Sequence, residues 1–271
     1  MTEFENRTYW ERRLREHFSL EGVGYLRLGR RFNEWMYRVR GRVFDAAIAR
    51  HSALISTLGA RPPVKVLDIG AGTGFYVERW LALGASVTGV DLTEVAVTNL
   101  RTRFPKASFV QADIGRPLSE PLANARGTFA AVSAFDVLFH VVDDTQYAQA
   151  LHNIADLLEP GGLLLWSDNF IHQPTIRVAH QVSRSLDEAT AALDAVGLDV
   201  VSRVPMFVLM NYPADTRSRL TKWAWTALVA PAMLSDYLGG ALGALLYPLE
   251  TRLVRRMKES PSTELMVCRR R

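Results

Sequence analysis

The pattern of apolar and polar positions divides the chain into three stretches. Between residues 8 and 58 apolar side chains recur at spacings of three and four, as a helix with one buried face requires. In "RRFNEWMYRVRGRVFDAAIARHSALISTL" the repeating positions are Phe32, Trp35, Met36, Val39, Val43, Ala46, Ala47 and Leu54. "GARPP" at 59–63 ends the region, because Gly and a Pro pair do not continue a helix.

From residue 64 the pattern changes to short apolar runs alternating with helical ones. "VKVLDIG", "ASVTGVD", "ASFVQAD", "TFAAVSAF" and "LLLWSD" predict five strands, "LDVVSRVPMFVLM" a sixth bent at Pro205, and "TELMVCR" a seventh. "FYVERWLALG", "LTEVAVTNLRTRF", "DDTQYAQALHNIADLLEPGG" and "RSLDEATAALDAVG" predict the intervening helices, the last with Ser185 as N-cap and Gly197 at its exit. Runs apolar on both faces suit parallel strands, so the alternation predicts an α/β fold with helices on both sides of a parallel sheet.

Between the sixth and seventh strands, residues 211–262 break the rhythm with "KWAWTALVAPAMLSDYLGGALGALLYPLETRLVRR". Pro231, Asp236 and Gly239-Gly240 interrupt it, and a membrane span needs ~20 uninterrupted apolar residues. Two or three helices packed as a lid are the expectation. The organisation expected is a helical cap (1–60), a binding core (61–210), the apolar helical lid (211–262) and a terminal strand (263–271).

Composition changes this picture little. Hydrophobic residues make up 48% of the 271 residues and charged ones 22%, enough apolar material for a core and too little charge for extended disorder. The formal charge of +4 is unevenly placed, with ten arginines between Arg7 and Arg42 and another cluster from Arg252 to Arg271. Such faces attract nucleic acid, anionic lipid or phosphorylated substrates, or are solvated helix faces interleaved with Glu11, Glu16, Glu21 and Glu34. The single cysteine, Cys268, excludes an internal disulfide and a cysteine-rich metal site. "MTEFENRTYWERR" has acids and no apolar core of a signal peptide, so a cytoplasmic location is expected.

The candidate chemistry begins at "VLDIGAGTGFY". Dinucleotide loops place the third glycine of G-x-G-x-x-G one position later than Gly70, Gly72 and Gly74 do here. Asp68, two positions before the first glycine, would repel a pyrophosphate and suits an ammonium. Asp91 ends strand two, seventeen residues after Gly74, where an acid accepts ribose hydroxyls. Asp113 closes strand three and can meet an adenine amino group, or serve as a turn residue. An ammonium, a ribose and an adenine together describe S-adenosylmethionine (SAM).

With these residues the sequence resembles the class I SAM-dependent methyltransferases. "VLDIGAGTG" resembles their first motif, "GVDLT" the second, "QADI" the third, and "LEPGGLLLWSD" the entry to strand five. The resemblance covers residues 64–210 and "STELMVCRR". It implies a Rossmann-like seven-stranded sheet in the order 3-2-1-4-5-7-6, the last strand antiparallel, with SAM as cofactor. It implies SAM contacts from Asp68, Gly70, Ala71, Gly72, Thr73, Gly74, Asp91, Leu92, Asp113, Ile114 and Phe135.

The acceptor should approach the ends of strands four and five. No (Asn/Asp)-Pro-Pro-aromatic tetrapeptide follows strand four, which disfavours nucleobase and amide acceptors. "LFHVVDD" resembles the "LEHV" stretch of ubiquinone-type O-methyltransferases, with Phe139 in place of the acid and His140 retained. His140 is the candidate base, with His172 and His180 weaker candidates. Asp168-Asn169 resembles the pair that ends strand five in metal-dependent catechol O-methyltransferases, and Asp136 would be a third oxygen ligand. The missing acid at position 139 speaks against a metal. Tyr37 and Arg40 share one helical face with Asn33 and Phe44, where Arg40 can fork onto the SAM carboxylate.

Trp223, Trp225, Met233, Tyr237 and Tyr247 of the lid predict an apolar pocket wall or simply the core of the lid itself, and a basic, Trp-bearing membrane contact is a further alternative. The reading is methyl transfer to a hydroxyl or carboxylate oxygen of a small, apolar or lipid-linked molecule. C- or N-methylation, O-methylation of a sugar, and RNA binding through the Arg-rich helix are the alternatives.

Overall fold

The apolar runs after residue 64 pair side by side as β1 (Lys65–Ile69), β2 (Ser86–Asp91), β3 (Ser108–Gln111), β4 (Phe129–Phe135) and β5 (Leu158–Asp168). The structure, a computed structural model, describes residues 5–58 and 63–271, with only the backbone of 53–58. The expected break at 59–63 therefore falls outside the described residues except for Pro63, as does the Leu54 side chain. All seven residues of β4 are buried, because helices cover both faces of the sheet centre. Asp68 on β1 lies opposite Gly89 on one side and Ser133 on the other.

Beyond these come β6 (Ile176–Val178), β7 (Gln181–Ser183), β8 (Leu198–Pro205) and β9 (Glu264–Arg270). The main sheet runs β3-β2-β1-β4-β5-β9-β8, with β9 antiparallel to both neighbours. Counting only strands of that sheet, this is the order 3-2-1-4-5-7-6. The sequence reading missed the separate β6–β7 hairpin, whose strands have three residues each and are too short to show a period. Cys268 is buried in β9, and burial raises its thiol pKa.

Helices α1 (Asn6–Glu16), α2 (Leu20–Val23) and α3 (Gly29–Leu58) precede the sheet. On α3, Phe32, Met36, Val39, Val43 and Ala47 are buried, whereas Ala46 is exposed. Four further helices, α4 (Phe75–Ala82), α5 (Glu94–Arg103), α6 (Asp144–Leu157) and α7 (Leu186–Ala195), connect the strands. The Ser185 hydroxyl caps α7 by accepting from the Glu188 N–H.

The insertion folds into two helices, α8 (Arg219–Leu234) and α9 (Asp236–Arg256), joined by Ser235. They pack on each other and α9 lies along α3. Gly243 permits that approach, since a Cβ there would stand 2.5 Å from Trp35 Cδ1. The five side chains expected as a pocket wall line neither of the two chambers described below. Trp225 is buried against the Tyr25 and Tyr212 rings, while Tyr247, beside Trp35, and Met233 are half-buried against the core. Trp223 and Tyr237 face solvent. Aromatic content announced burial here without saying against what. Among the described residues no helix is long and apolar enough to cross a membrane.

One buried carboxylate ties the insertion to the sheet. Glu250 of α9 accepts the N–H groups of Val208 (2.7 Å), Leu209 (2.8 Å) and Met210 (3.4 Å) beyond β8. Replacing it, Glu250→Ala, strands these three donors and lowers the unfolding free energy by about 3 kcal/mol, read from the urea midpoint.

Candidate functional site

The loop after β1 crosses the end of β2, with the N–H groups of Gly70 and Ala71 both donating to Val90 O at 2.8 and 3.0 Å. Gly70 has φ +67°, and a Cβ there would fall 2.2 Å from Val137 Cγ2. Only glycine meets both conditions. The Gly72 N–H donates to Asp91 Oδ2 at 2.8 Å, while Asp91 Oδ1 accepts from Thr93 N and Oγ1 at 2.9 and 2.7 Å. Burial raises the Asp91 pKa, and the Thr93 and Gly72 donors oppose that rise.

Above this loop opens a cleft. Gly70, Ala71, Gly72 and Thr73 line one side, and Asp91, Leu92, Asp113 and Ile114 the strand ends. Phe135, Tyr37, Arg40 and His140 close it. Two residues of the expected set lie elsewhere. Asp68 is buried beneath the loop, accepting from Ser133 Oγ at 2.5 Å, and Ser133 in turn accepts from Trp80 Nε1. Gly74 opens α4 and packs against Phe104 and Leu100. Asp113 spends one oxygen on the Gly115 N–H at 2.9 Å.

Asn6, Trp10 and Tyr76 also line the cleft and were not anticipated. Tyr76 follows the glycine loop directly and stacks on Phe135 at 3.7 Å, a proximity that gave a usable signal. Asn6 and Trp10 come from α1, far away in sequence, with no local signal. Asn6 Nδ2 donates to His140 O at 2.8 Å, which draws α1 across the opening.

Several buried polar atoms at this cleft have no hydrogen-bond partner, Asn6 Oδ1, Arg40 Nε and Thr73 Oγ1, and the Tyr76 hydroxyl stands beside the Arg40 guanidinium. An unsatisfied buried group costs about 1–3 kcal/mol, so each marks a place where a polar ligand gains. Arg40 also forms a buried ion pair with Asp136. Burial alone would lower the guanidinium, but Asp136, Tyr76 and Tyr37 outweigh it and hold its pKa up. Burial pushes the Tyr37 hydroxyl up to about 12.

His140 sits on a single turn of 3-10 helix, Leu138–His140. Its ring meets Trp10 edge-on at 4.9 Å, and Nδ1 lies 2.8 Å from His180 O. A carbonyl only accepts, so Nδ1 carries the proton and Nε2 keeps its lone pair. Burial lowers the imidazole to about 4, against the raising effect of the His180 carbonyl. His172 instead pairs with Asp215, Nδ1 to Oδ2 at 2.6 Å, outside both chambers.

A second, wider chamber shares Trp10, Tyr37, Arg40, Asp136 and His140 with the first. Its floor is a polar chain: Asn211 Nδ2 donates to Thr263 Oγ1 and Asn169 Nδ2 to Ser183 Oγ, each at 2.8 Å. Met36, Phe139, Ile176 and Val178 line its walls. The insertion side reaches it through Asn211, Tyr212, Ala214 and Lys222.

The alternative metal set is not assembled. Asp136 is held by Arg40 and by Ser167 Oγ at 2.8 Å, and Asn169 belongs to the polar floor. Asp168 is buried, accepts from the Asn169 N–H, and is pushed up to about 7 by burial. Among the described residues no group of three or more His, Cys, Asp or Glu stands close enough to hold a metal ion.

Residues 66–162 match a family model described as a methyltransferase domain. A ubiquinone biosynthesis O-methyltransferase from Ruegeria pomeroyi is 36% identical over 113 residues, 41% of this chain and 44% of that protein. The chain thus spans less than half the length of that curated relative. One of the same name from Rhizobium rhizogenes is 30% identical over 182 residues, 60% of this chain and 71% of that protein. A Galdieria sulphuraria structure, provisionally assigned as a sarcosine dimethylglycine methyltransferase, superimposes with a TM-score of 0.52 at 14% identity, covering 83% of this chain and 84% of its own. At that identity it shows the fold alone.

Burial pushes Asp68 up to about 7, with the Ser133 hydrogen bond opposing and the Asp91 charge adding to the rise. A carboxyl raised in the folded state contributes stability that is full below its ordinary value of 3.8 and has been lost once pH passes about 7. The Asp68→Asn variant therefore loses less stability than the parent as pH rises from about 4 to about 7, measured as urea midpoints across that range.

Proposed function

The chain belongs to the class I SAM-dependent methyltransferases, and from that premise we propose that it methylates a hydroxyl oxygen of a small amphiphilic molecule, with His140 as the base. The observation that carries the reading is the place of His140 on the wall common to the two chambers, its Nε2 lone pair free.

The first chamber fits SAM on the evidence of its own unsatisfied groups. Arg40 Nε is a donor for a carboxylate, Asn6 Oδ1 an acceptor for an ammonium, and Thr73 brings a hydroxyl that does either. Asp91 would take the ribose hydroxyls. Leu92, Asp113 and Ile114 would hold the adenine, and the bare backbone of Gly70 to Gly72 the part between. When bound, SAM supplies an electrophilic methyl group on a sulfonium sulfur. Arg40 is paired with Asp136, so its remaining capacity for a carboxylate is Nε and not a free fork.

The second chamber takes the acceptor. Its polar floor suits a hydroxyl-bearing head and its apolar walls a hydrocarbon or aromatic body. His140 Nε2 would take the hydroxyl proton of an acceptor aligned with that methyl group. An oxygen in the act of being methylated is strongly acidic, so a weak base suffices. Withdrawal from water keeps this imidazole neutral across the ordinary pH range. Helix α1, fastened by Asn6 to the His140 carbonyl, acts as the cap that excludes water. Most of the acceleration comes from proximity and alignment of acceptor and methyl.

Replacing the base, His140→Gln, lowers kcat about 100-fold or more and leaves S-adenosylhomocysteine affinity within a factor of about two. The acid limb of kcat/KM lies near pH 4, not near the usual 6.5 of histidine, because activity is lost only when the imidazole protonates. A kcat unchanged by the substitution moves the reading to an amine or carbon acceptor.

A further inference from the structure

We propose that the outer face of the α8–α9 hairpin docks onto an anionic bilayer surface. The hairpin buries one side against α3 and leaves the other without a covering element. Leu220, Trp223, Leu234, Tyr237 and Leu245 are between 68 and 81% exposed, far beyond the isolated apolar residues that ordinary surfaces carry. On α9, Leu238, Leu245, Leu249 and Arg252 follow at i, i+7, i+11 and i+14, all exposed, and so form one stripe.

Charge completes the pattern. From 216 to 258 the chain carries seven cations, Arg217, Arg219, Lys222, Arg252, Arg255, Arg256 and Lys258, and two acids, Asp236 and Glu250. Both acids are already engaged, Asp236 with Arg31 and Glu250 with three backbone N–H groups. Among the described residues none of the seven cations forms an ion pair with a carboxylate. The two helices fold back on each other at Ser235, so the basic start of α8 and the basic end of α9 meet at one end of the hairpin. An apolar ridge bordered by uncompensated cations is what lies in a headgroup layer of negative charge.

Other occupants fit less well. A second copy would bring seven like charges against seven across a two-fold axis, and a nucleic acid, whose bases could stack on Trp223, would leave Leu220, Leu234, Leu238, Leu245 and Leu249 uncovered. Insertion as a span is ruled out for the described helices by their length and polarity. Lys222 belongs both to the basic end and to the lining of the wider chamber, so docking places that chamber beside the lipid. This last link, unlike the docking itself, rests on the chamber being the acceptor site.

The test is co-sedimentation of the full chain with vesicles of phosphatidylcholine alone, or with roughly one-third phosphatidylglycerol, at low and high salt. The chain is expected to pellet with the anionic vesicles at low salt and to stay in solution with the neutral ones. Each basic residue near such a surface strengthens binding about fivefold, so the triple variant Arg252→Gln, Arg255→Gln, Arg256→Gln weakens partitioning about 100-fold. Trp223→Ser with Leu245→Ser weakens it by more than about tenfold. All these positions are exposed and lie outside the cleft, so S-adenosylhomocysteine affinity stays unchanged, which separates failure of docking from failure of the methyltransferase reading. Equal pelleting with neutral vesicles, no pelleting, or variants that partition like the parent overturns the proposal. So does a dimer, seen by sedimentation velocity and lost in the Trp223→Ser variant, in a chain that ignores vesicles.

Discussion

The ion pair between Arg40 and Asp136 is the constraint around which the site is built. Arg40 stands on α3 and Asp136 at the end of β4, almost a hundred residues apart. A guanidinium buried this deeply requires a carboxylate beside it, and removing one partner of such a pair typically costs about 3–5 kcal/mol. Asp136 accepts a left-handed backbone, φ +57°, to reach its place, and Ser167 on the neighbouring strand holds it there in both directions. Once the pair is made, Tyr37 comes to the wall shared by the two chambers, and α3 becomes the spine against which α9 packs. The cap and the sheet therefore meet at this ion pair, and α3 carries the insertion through other residues, Trp35 against Tyr247 among them.

That arrangement explains why the sheet was readable and the site only partly so. Parallel strands buried on both faces must be apolar throughout, and β1, β2, β4 and β5 declare themselves by that alone. The glycines and Asp91 were readable because a loop crossing a strand end has few solutions: Gly70 has no room for a Cβ, and Asp91 sits where three donors converge. Asp68 carried the same local signal, yet Ser133 and Trp80 hold it under the loop. Spacing gives the strand end and not the side of the strand. Arg40 was placed on the right face of α3 from periodicity, whereas its partner Asp136 looked like a metal ligand because a sequence does not show which distant cation comes to meet it.

The alternatives left open at the insertion have the same root. Tryptophan and tyrosine in "KWAWTALVAPAMLSDYLGGALGALLY" signal apolar surface in search of cover, and the cover expected was a substrate. Instead α3 covers one side and meets Tyr247 through Trp35, Trp225 packs on Tyr25 and Tyr212, and Trp223 and Tyr237 remain outside. The chamber walls come from segments with weaker signatures: the turn after α2, the short hairpin β6–β7, and the stretch that follows β8. These carry isolated polar residues, Asn169, Ser183, Asn211 and Thr263, whose shared purpose is visible only once they form a single hydrogen-bonded floor.

The central claim is that the cleft over the glycine loop is a SAM site completed by groups now lacking partners. Titration calorimetry of the full chain with S-adenosylhomocysteine tests it most directly, comparing the parent with Asp91→Asn. One ligand bound per chain, with affinity falling by about tenfold or more when the Asp91 carboxylate becomes an amide, is the predicted result. No binding to the parent, or equal binding to both, would contradict it.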